Sequence, residues 1–363
     1  NVIISSYLLR YENYAKLIFL NKRKYEGGRM SQTKLLSLEE IYQLALEKLL
    51  NAGADNHNAS ILAELLRKAE RDGSHSHGLF RLPAYIAGLK SGKINGTARA
   101  ESSIITPSFI RVNGNRGFAP TAHLEAIPKL VTAARQTGVA IAAIHQCFHM
   151  AALWPEVEAI AEAGFAGIAC TNYLPSVAPA GSTKAFFGTN PLAFAWPRPS
   201  STPIVYDMAT AAMALGDVQV AARDNKKVPL GTGLDSEGQA TTDPSAIAKG
   251  GVLLPFGGYK GSGLSMMVEL LTAGLTGETF SDETKARDNA DGGPPIGGQF
   301  LLALSPDIIA VDDWKTHCDQ FFERMSGLPG QGVRLPGERR HKNRLSSDPR
   351  QINIELLNKI NAL

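Results

Sequence analysis

Strand-like and helix-like hydrophobic patterns alternate through the middle of the chain, and this alternation limits the possible folds more than any other feature. Short apolar runs with strand character occur at 109–112, 139–144, 165–170, 192–196, 204–206 and 300–304. The stretch Asn113-Gly114-Asn115 after the first run predicts a turn. Between the strand-like runs, apolar residues recur at helical spacing at 122–136, 155–163, 216–223 and 262–273. Segments of the two periods that follow one another in this way predict an α/β layer, in which helices pack on a sheet.

Helical patterns dominate both ends of the chain. They occur at 38–49, 58–71, 79–89, 312–325 and 348–360. Ser37 and Glu40 have the spacing of a capping box at the start of the first helix, and Pro349 has a first-turn position in the last one. The Gly-, Asp- and Pro-rich stretch 280–297 predicts a mobile loop. We therefore expect helices from both ends to flank the mixed middle.

The first residues of the chain lack the features of a targeting signal. Residues 1–29 carry mixed charges and no cleavage site of small residues, which argues against a signal peptide. Met30 comes just before a polar stretch and the capping box. We therefore expect Met30 to be the natural start and residues 1–29 to be a non-native upstream extension.

Composition excludes several classes of function. The chain has 363 residues and a formal net charge of +3, which is too small and too dispersed for a nucleic-acid partner. No apolar run approaches the ~18 residues that a membrane span requires. Cys147, Cys170 and Cys318 are far apart and odd in number, so they provide no disulfide framework and no CxxC zinc site. A reducing compartment, and hence a cytoplasmic location, is the expectation.

The stretch 74–78 is the first candidate for chemistry, because it holds two imidazoles and two hydroxyls after a helical pattern. Histidine suits proton transfer near neutral pH. If the segment from His77 is helical, Arg81 and Tyr85 share its face and add a carboxylate clamp and a phenol. The alternative is a solvated helix cap with a surface arginine. A zinc site from His75 and His77 is less favoured, because spacing supplies no third ligand.

His149 follows the apolar run 139–144, at the end of a predicted strand where α/β sheets place their ligand contacts. Met150, Leu153 and Trp154 come next, and they could form an apolar wall for a ligand or simply pack the following helix. The turn that contains Thr189 and Asn190 and the strand end at Asp207 are equally open to a ligand-binding or a structural interpretation.

A glycine-rich segment at 255–263 surrounds Lys260 and Gly261 at the start of a predicted helix. Exposed backbone N–H groups at a helix N-terminus attract anions. The segment is neither a Walker A loop nor a G-x-G-x-x-G fingerprint, and close packing of helix on strand is the structural alternative. Arg339 and the cluster of Arg223, Lys226 and Lys227 could each bind a phosphate, although solvated surface is the default for both.

Taken together, these segments resemble a known family, the malate/L-lactate dehydrogenases that are unrelated to the Rossmann lactate dehydrogenases. The matching stretches are Ser76-His77-Gly78 with Arg81 and Tyr85, His149, Gly188-Thr189-Asn190-Pro191, Asp207-Met208-Ala209-Thr210, 254–264, and Pro336-Gly337-Glu338-Arg339. Three further stretches, 71–78, 151–158 and 215–223, are similar to one branch of the family, the NADPH-dependent Δ1-piperideine-2-carboxylate/Δ1-pyrroline-2-carboxylate reductases.

The resemblance implies a non-Rossmann nicotinamide-binding α/β domain at 109–330. It also implies a helical domain made from 30–108 and the returning segment 331–363, a homodimer, and an active site between the domains. The implied cofactor is NADPH, with NADH possible, and the substrate is a small carboxylate.

The expected reaction is hydride transfer to C2 of a cyclic imino acid, which gives L-pipecolate or L-proline. A malate- or lactate-type 2-hydroxy acid dehydrogenase is the alternative, and a non-enzymatic binding module is disfavoured. We expect His77, poised by Ser76, to be the acid/base and Arg81 to hold the carboxylate. The other expected contacts are Tyr85 and His149 for the substrate, and Thr189, Asn190, Asp207, Lys260, Gly261 and Arg339 for the cofactor. No metal is expected.

Overall fold

The computed structural model describes residues 32–330, 332–346 and 348–363. The predicted start at Met30 and the predicted extension 1–29 lie outside these residues. Among the described residues, no helix is long and apolar enough to span a lipid bilayer.

The described chain alternates helices and strands. The strands are β1 (Thr33–Leu36), β2 (Glu101–Thr106), β3 (Phe109–Phe118), β4 (Val139–Phe148), β5 (Ala166–Thr171), β6 (Leu192–Trp196), β7 (Ile204–Met208), β8 (Gly233–Leu234), β9 (Ala240–Thr241), β10 (Val252–Leu253), β11 (Ile296–Leu304) and β12 (Arg350–Asn353). The helices are α1 (Leu38–Asn51), α2 (Asn56–Arg71), α3 (Leu82–Lys90), α4 (Ala119–Thr137), α5 (Trp154–Glu162), α6 (Leu215–Arg223), α7 (Pro244–Ala248), α8 (Tyr259–Glu269), α9 (Ser281–Arg287), α10 (Pro306–Ile309), α11 (Trp314–Ser326), α12 (Glu338–Arg344) and α13 (Ile354–Asn361).

A seven-stranded sheet forms the centre, in the order β2-β3-β4-β11-β5-β6-β7. In the described part of the chain, β3 and β4 are its one parallel pair of neighbours, and every other neighbouring pair is antiparallel. A Rossmann sheet is mostly parallel, so this sheet is of another type. Helices α4 and α5 pack on it over a core of small and branched residues that includes Ala142, Ile144 and Leu301. The predicted α/β class is confirmed.

The two ends of the chain meet in a second hydrophobic cluster. Ile41 of α1 and Leu62 of α2 share it with Ile352 of β12 and Ile360 of α13, and β1 pairs antiparallel with β12. The predicted capping box is confirmed, because Glu40 N donates to Ser37 Oγ and Ser37 N donates to Glu40. Contacts between the ends fit the predicted helical domain, whose exact limits stay a prediction.

Three local predictions were wrong. The predicted turn at 113–115 lies within β3, where a bulge between Asn113 and Gly117 lets the strand continue. The stretch 280–297 contains α9 and the first residues of β11, so it is only partly a loop. The predicted helix at 348–360 begins at Ile354 instead, because residues 350–353 pair with β1 as a strand.

Candidate active site

A cavity of 370 Å³ lies where the 3₁₀ turns after α2, the loop between β4 and α5, and the start of α6 meet. Seven of the residues predicted for the site line it: Ser76, His77, Arg81, His149, Thr189, Asp207 and Arg339. Four do not line it: Tyr85, Asn190, Lys260 and Gly261. Ser76 and Arg339, which are 263 positions apart in the chain, therefore line the same cavity.

The segment around His77 is not one continuous helix. Two 3₁₀ turns, His75–His77 and Leu79–Arg81, are separated at Gly78. The carboxylate of Glu70 holds this bend, since it accepts from Leu79 N at 2.8 Å and contacts His75 Nδ1 at 2.7 Å. A Cβ on Gly78 would lie 2.1 Å from that carboxylate, so only glycine fits.

Because of this bend, Tyr85 does not line the cavity. Its side chain is 0% exposed, and its ring meets Phe118 edge-on at 5.5 Å between centroids. The helical face that would have joined His77 to Tyr85 is interrupted at Gly78. Tyr85 instead belongs to the hydrophobic cluster in which the two ends of the chain meet. Its buried hydroxyl has no hydrogen-bond partner among the described residues, and the predicted contact between Tyr85 and substrate stays a prediction.

His77 is held in its neutral form. Burial, the charge of Arg81 and the proximity of His149 together lower the pKa of His77 to about 3. Its Nδ1 lies 3.0 Å from Ser76 Oγ, and either atom can be the donor. The other ring nitrogen has no hydrogen-bond partner among the described residues. His77 therefore faces the cavity as an uncharged imidazole with one nitrogen available to a ligand.

Arg81 carries a positive charge that no carboxylate neutralises within the described chain. Its Nε is buried and lacks a hydrogen-bond partner. A Cβ on Gly216 would lie 2.8 Å from Arg81 Nη2 and 3.2 Å from Ser76 Cβ. The start of α6 can therefore approach this arginine closely because residue 216 is glycine. An unpaired guanidinium in a cavity fits a bidentate anion such as a carboxylate.

Asp207 lines the cavity and also caps a helix. Its Oδ2 accepts from the backbone N–H groups of Leu153 at 2.7 Å and Trp154 at 3.0 Å, at the start of α5. Burial raises the pKa of Asp207 to about 6, although the hydrogen bond from Leu153 N opposes the shift. Its predicted contact with cofactor therefore coexists with a structural role.

Asn190 and Gly261 lie behind the cavity wall. Asn190 Nδ2 donates to Glu269 Oε1 at 2.7 Å and to Ser265 O at 3.1 Å, which holds the neighbouring Thr189 against the cavity. A Cβ on Gly261 would lie 2.4 Å from Phe256 O, which favours the packing interpretation of the glycine-rich segment. Lys260 is exposed and lies outside this cavity.

The two candidate phosphate-binding sites, Arg339 and the cluster at 223–227, differ in whether their side chains already form ion pairs. Arg223 and Lys226 both contact Asp224, at 2.8 and 3.5 Å. Arg339 is exposed, lines the cavity and has no ion pair among the described residues. Arg339 is therefore the better placed of the two candidates to bind a phosphate.

Sequence reasoning missed several residues at or near the cavity. Tyr173 and Asp217 contribute to the wall, and Asp217 lies in the first turn of α6 beside Gly216. Glu156 contacts His149 Nε2 at 3.2 Å from the interior side. The stretch 155–163 contains three glutamates, so nothing in the sequence singles out Glu156.

Comparison with known proteins gives a consistent result. Residues 36–360 match the profile of the family described as malate/L-lactate dehydrogenase. The chain is 42% identical over 318 residues to a Δ1-pyrroline-2-carboxylate reductase of Ancylobacter novellus, covering 87% of this chain and 92% of the relative. It is 45% identical over 305 residues to a Δ1-pyrroline-2-carboxylate/Δ1-piperideine-2-carboxylate reductase of Pseudomonas putida, covering 82% and 89%.

A solved structure shares the fold over nearly its full length. The crystal structure of Δ1-piperideine-2-carboxylate reductase from Pseudomonas syringae superposes with a TM-score of 0.84 at 41% identity. The match covers 91% of this chain and 99% of the other.

Proposed function

Because the chain belongs to the malate/L-lactate dehydrogenase family and is an oxidoreductase, we propose that it reduces a small cyclic imino acid with NADPH. The substrates are Δ1-piperideine-2-carboxylate and Δ1-pyrroline-2-carboxylate, and the products are L-pipecolate and L-proline. One observation carries the proposal: an unpaired Arg81 and a neutral His77 share a cavity. The names of the most similar relatives support this class of substrate.

Arg81 binds the substrate carboxylate. Its planar guanidinium can donate two parallel hydrogen bonds to the two carboxylate oxygens, and its buried Nε gains the partner that it otherwise lacks. With the carboxylate fixed, the adjacent C2 lies in the cavity beside His77. Met150 and Leu153, which line the same cavity, offer apolar surface to the ring methylenes.

His77 manages the proton at the ring nitrogen. Ser76 hydrogen-bonds to Nδ1, so the opposite nitrogen of His77 can exchange a proton or a hydrogen bond with the substrate. A bound carboxylate offsets the charge of Arg81, which is one of the causes that lower the pKa of His77. Substrate binding therefore makes protonation of His77 easier at the moment when the ring nitrogen needs a proton.

NADPH supplies the hydride when it is bound. The residues present fit a dinucleotide phosphate, because Arg339 is an unpaired cation on the cavity wall. We assign the 2′-phosphate of NADPH to Arg339 rather than to Arg223, whose guanidinium already contacts Asp224. Thr189 and Asp207 are the predicted polar contacts within the cavity.

We also propose that the enzyme is a homodimer in a reducing, cytoplasmic environment. Tyr259, Met266, Leu270 and Leu275 are 76%, 55%, 54% and 65% exposed along α8 and the turns after it. Spacings of seven and four residues place Tyr259, Met266 and Leu270 on one side of the helix, and Leu275 follows in the next turns. Apolar side chains that lie together in this way are typical of a surface that a second copy covers.

The experiment that tests this function measures NADPH oxidation at 340 nm with the purified protein. The panel contains Δ1-piperideine-2-carboxylate, Δ1-pyrroline-2-carboxylate, pyruvate and oxaloacetate, each with NADPH and with NADH. We expect the imino acids with NADPH to give the highest kcat/KM. A keto acid that is preferred about tenfold, equivalent to about 1.4 kcal/mol, would instead support a 2-hydroxy acid dehydrogenase. No turnover of any compound would favour a binding protein.

A further inference from the structure

Four buried polar side chains form a chain of contacts behind the cavity wall at His149. His149 Nε2 lies 3.2 Å from Glu156 Oε1, and Gln299 Nε2 donates to the same oxygen at 2.9 Å. At the inner end, His123 Nε2 lies 2.5 Å from Gln299 Oε1. His149 is the one member of the four that lines the cavity. The group therefore connects a cavity residue to α4, α5 and β11.

The direction of each hydrogen bond follows from the chemistry of the amide. Gln299 gives its N–H to Glu156, so its carbonyl oxygen accepts from His123 Nε2–H. Burial alone would raise the pKa of Glu156, but the nearby imidazoles His123 and His149 outweigh it and leave the pKa below its ordinary value. Glu156 is thus a carboxylate at neutral pH, and a carboxylate can only accept.

An acceptor-only neighbour dictates where the hydrogen of His149 lies. Nε2 must carry it, and in the neutral ring the lone pair is then on Nδ1. We propose that Glu156 is a positioning residue that fixes His149 as the Nε2–H tautomer, so that Nδ1 accepts a hydrogen bond from an N–H of a bound ligand. The ligand part of this inference rests on the function proposed above, whereas the tautomer does not.

A metal ion is the competing use of the same side chains. The ligand atoms of His123, His149 and Glu156 lie within 4.8 Å of one another. A metal would need the lone pairs of the imidazole nitrogens that face Glu156, whereas hydrogen bonding needs hydrogens there. The contact between His123 and Gln299 favours hydrogen bonding, because it already uses His123 Nε2 as a donor. A metal ion therefore requires a lone pair on His149 Nε2, whereas the hydrogen bond to Glu156 requires a hydrogen there.

The tautomer can be tested on the wild-type protein. We expect ¹⁵N–¹H correlation spectra of the histidine rings, assigned with His149→Ala, to show His149 as the Nε2–H tautomer. Elemental analysis of the same sample should find no stoichiometric metal. An Nδ1–H tautomer, or one metal per chain that shifts the His149 signals when a chelator removes it, would overturn the proposal.

The kinetic role is tested with Glu156→Gln. Glutamine offers both a donor and an acceptor, so it no longer fixes the tautomer. We expect kcat/KM to fall about 10- to 100-fold, by analogy with carboxylates that orient metal-bound histidines. In a His149→Ala background the same substitution should have no further effect. An equal loss in both backgrounds would show a structural role and overturn the proposal.

Glu158→Gln is the matched control. Glu158 lies on the same helix but pairs with Arg344 at 2.7 Å, away from His149. We expect this variant to change thermal stability and to leave the His149 tautomer unaltered. If Glu156→Gln does not fold, the wild-type spectra still decide the matter. If the enzyme reduces no imino acid, the proposed function fails while the tautomer result stands.

Discussion

At the scale of single residues, the cavity brings together a charged arginine, Arg81, and a neutral histidine, His77. Arg81 has no acidic partner within the described chain, and its charge contributes to the low pKa of His77. Removing Arg81 should therefore alter His77. Their effects on catalysis should nevertheless differ, because we propose that Arg81 contacts the substrate carboxylate and that His77 acts at the ring nitrogen.

His77→Ala should lower kcat by about 10²–10⁴-fold, the usual contribution of a positioned acid or base. Arg81→Ala should mainly raise KM, since a carboxylate clamp acts in both the ground and the transition state. Steady-state kinetics with an imino acid at saturating NADPH separates the two effects. An undiminished kcat in His77→Ala would remove His77 from the mechanism.

The pKa of His77 should respond to the charge on Arg81. A positive neighbour disfavours the imidazolium form, so Arg81→Gln should raise this pKa above the value of about 3 in the unaltered protein. Binding of pyrrole-2-carboxylate, a ring carboxylate that cannot be reduced, should shift it in the same direction. The measurement is an NMR titration of the histidine rings.

Arg339→Gln is the control for that titration. The charge of Arg339 acts on His75, whose pKa is raised chiefly by its hydrogen bond to Glu70. This variant should leave the pKa of His77 in place. A His77 pKa that stays near 3 in Arg81→Gln would show that the charge of Arg81 does not contribute to it.

At the scale of elements, α5 carries the residues behind the cavity, and its start depends on Asp207. The second residue of this helix is Pro155, which has no N–H, so Asp207 satisfies the free N–H groups of Leu153 and Trp154. Asp207 comes from the end of β7, and this contact fixes the helix to the sheet.

Asp207→Ala should destabilise the protein by about 1–3 kcal/mol for each buried N–H that is left without a partner. Asp207→Asn should lose less stability, because the amide oxygen can still accept hydrogen bonds from the two N–H groups. Urea denaturation of the two variants measures the difference. Equal stability of Asp207→Ala and the wild-type protein would contradict the capping role.

Local sequence patterns located most of the sheet but not the ends of its strands. In β3, Asn115 and Arg116 adopt φ values of 50° and 60° within the bulge, and a polar stretch with glycines resembles a turn when it is considered alone. Pairing with β4, about thirty residues later, keeps these residues in the sheet. Strand ends that depend on distant partners cannot be identified from the local period of hydrophobic residues.

The sequence likewise indicated some residues of the candidate site and not others. His77 and Arg81 stand out in the sequence because polar, chemically versatile side chains cluster after a helix. Glu156 and Gln299 lie within apolar patterns and are 143 residues apart, so only the folded chain reveals their contact. Residues that act through another residue carry little local signal.

At the scale of the whole molecule, one arginine joins three distant segments. Arg344 of α12 contacts Asp72 at the end of α2 at 2.9 Å and Glu158 of α5 at 2.7 Å. Its guanidinium also lies over the ring of Trp154, on the cavity wall, at 5.2 Å. The side chain of Asp72 is 0% exposed. Arg344 therefore connects three parts of the chain: the end of α2, helix α5 on the central sheet, and its own helix α12.

Arg344→Ala should cost about 3–5 kcal/mol of unfolding free energy, because Glu158 loses its arginine and buried Asp72 keeps only Arg71. Chemical denaturation at neutral pH measures the loss. Arg334→Ala, at an exposed position without an ion pair among the described residues, is the control and should change stability little. A similar stability for both variants would contradict this role of Arg344.

In the proposed reaction, hydride moves from the nicotinamide to C2 of a cyclic imino acid. The most direct measurement uses NADPH that carries deuterium at C4 on the transferred face, with Δ1-piperideine-2-carboxylate as substrate and analysis of the product by NMR and mass spectrometry. We expect L-pipecolate with one deuterium, located at C2. Unlabelled pipecolate, or no pipecolate while a keto acid in the same mixture is reduced, would contradict it.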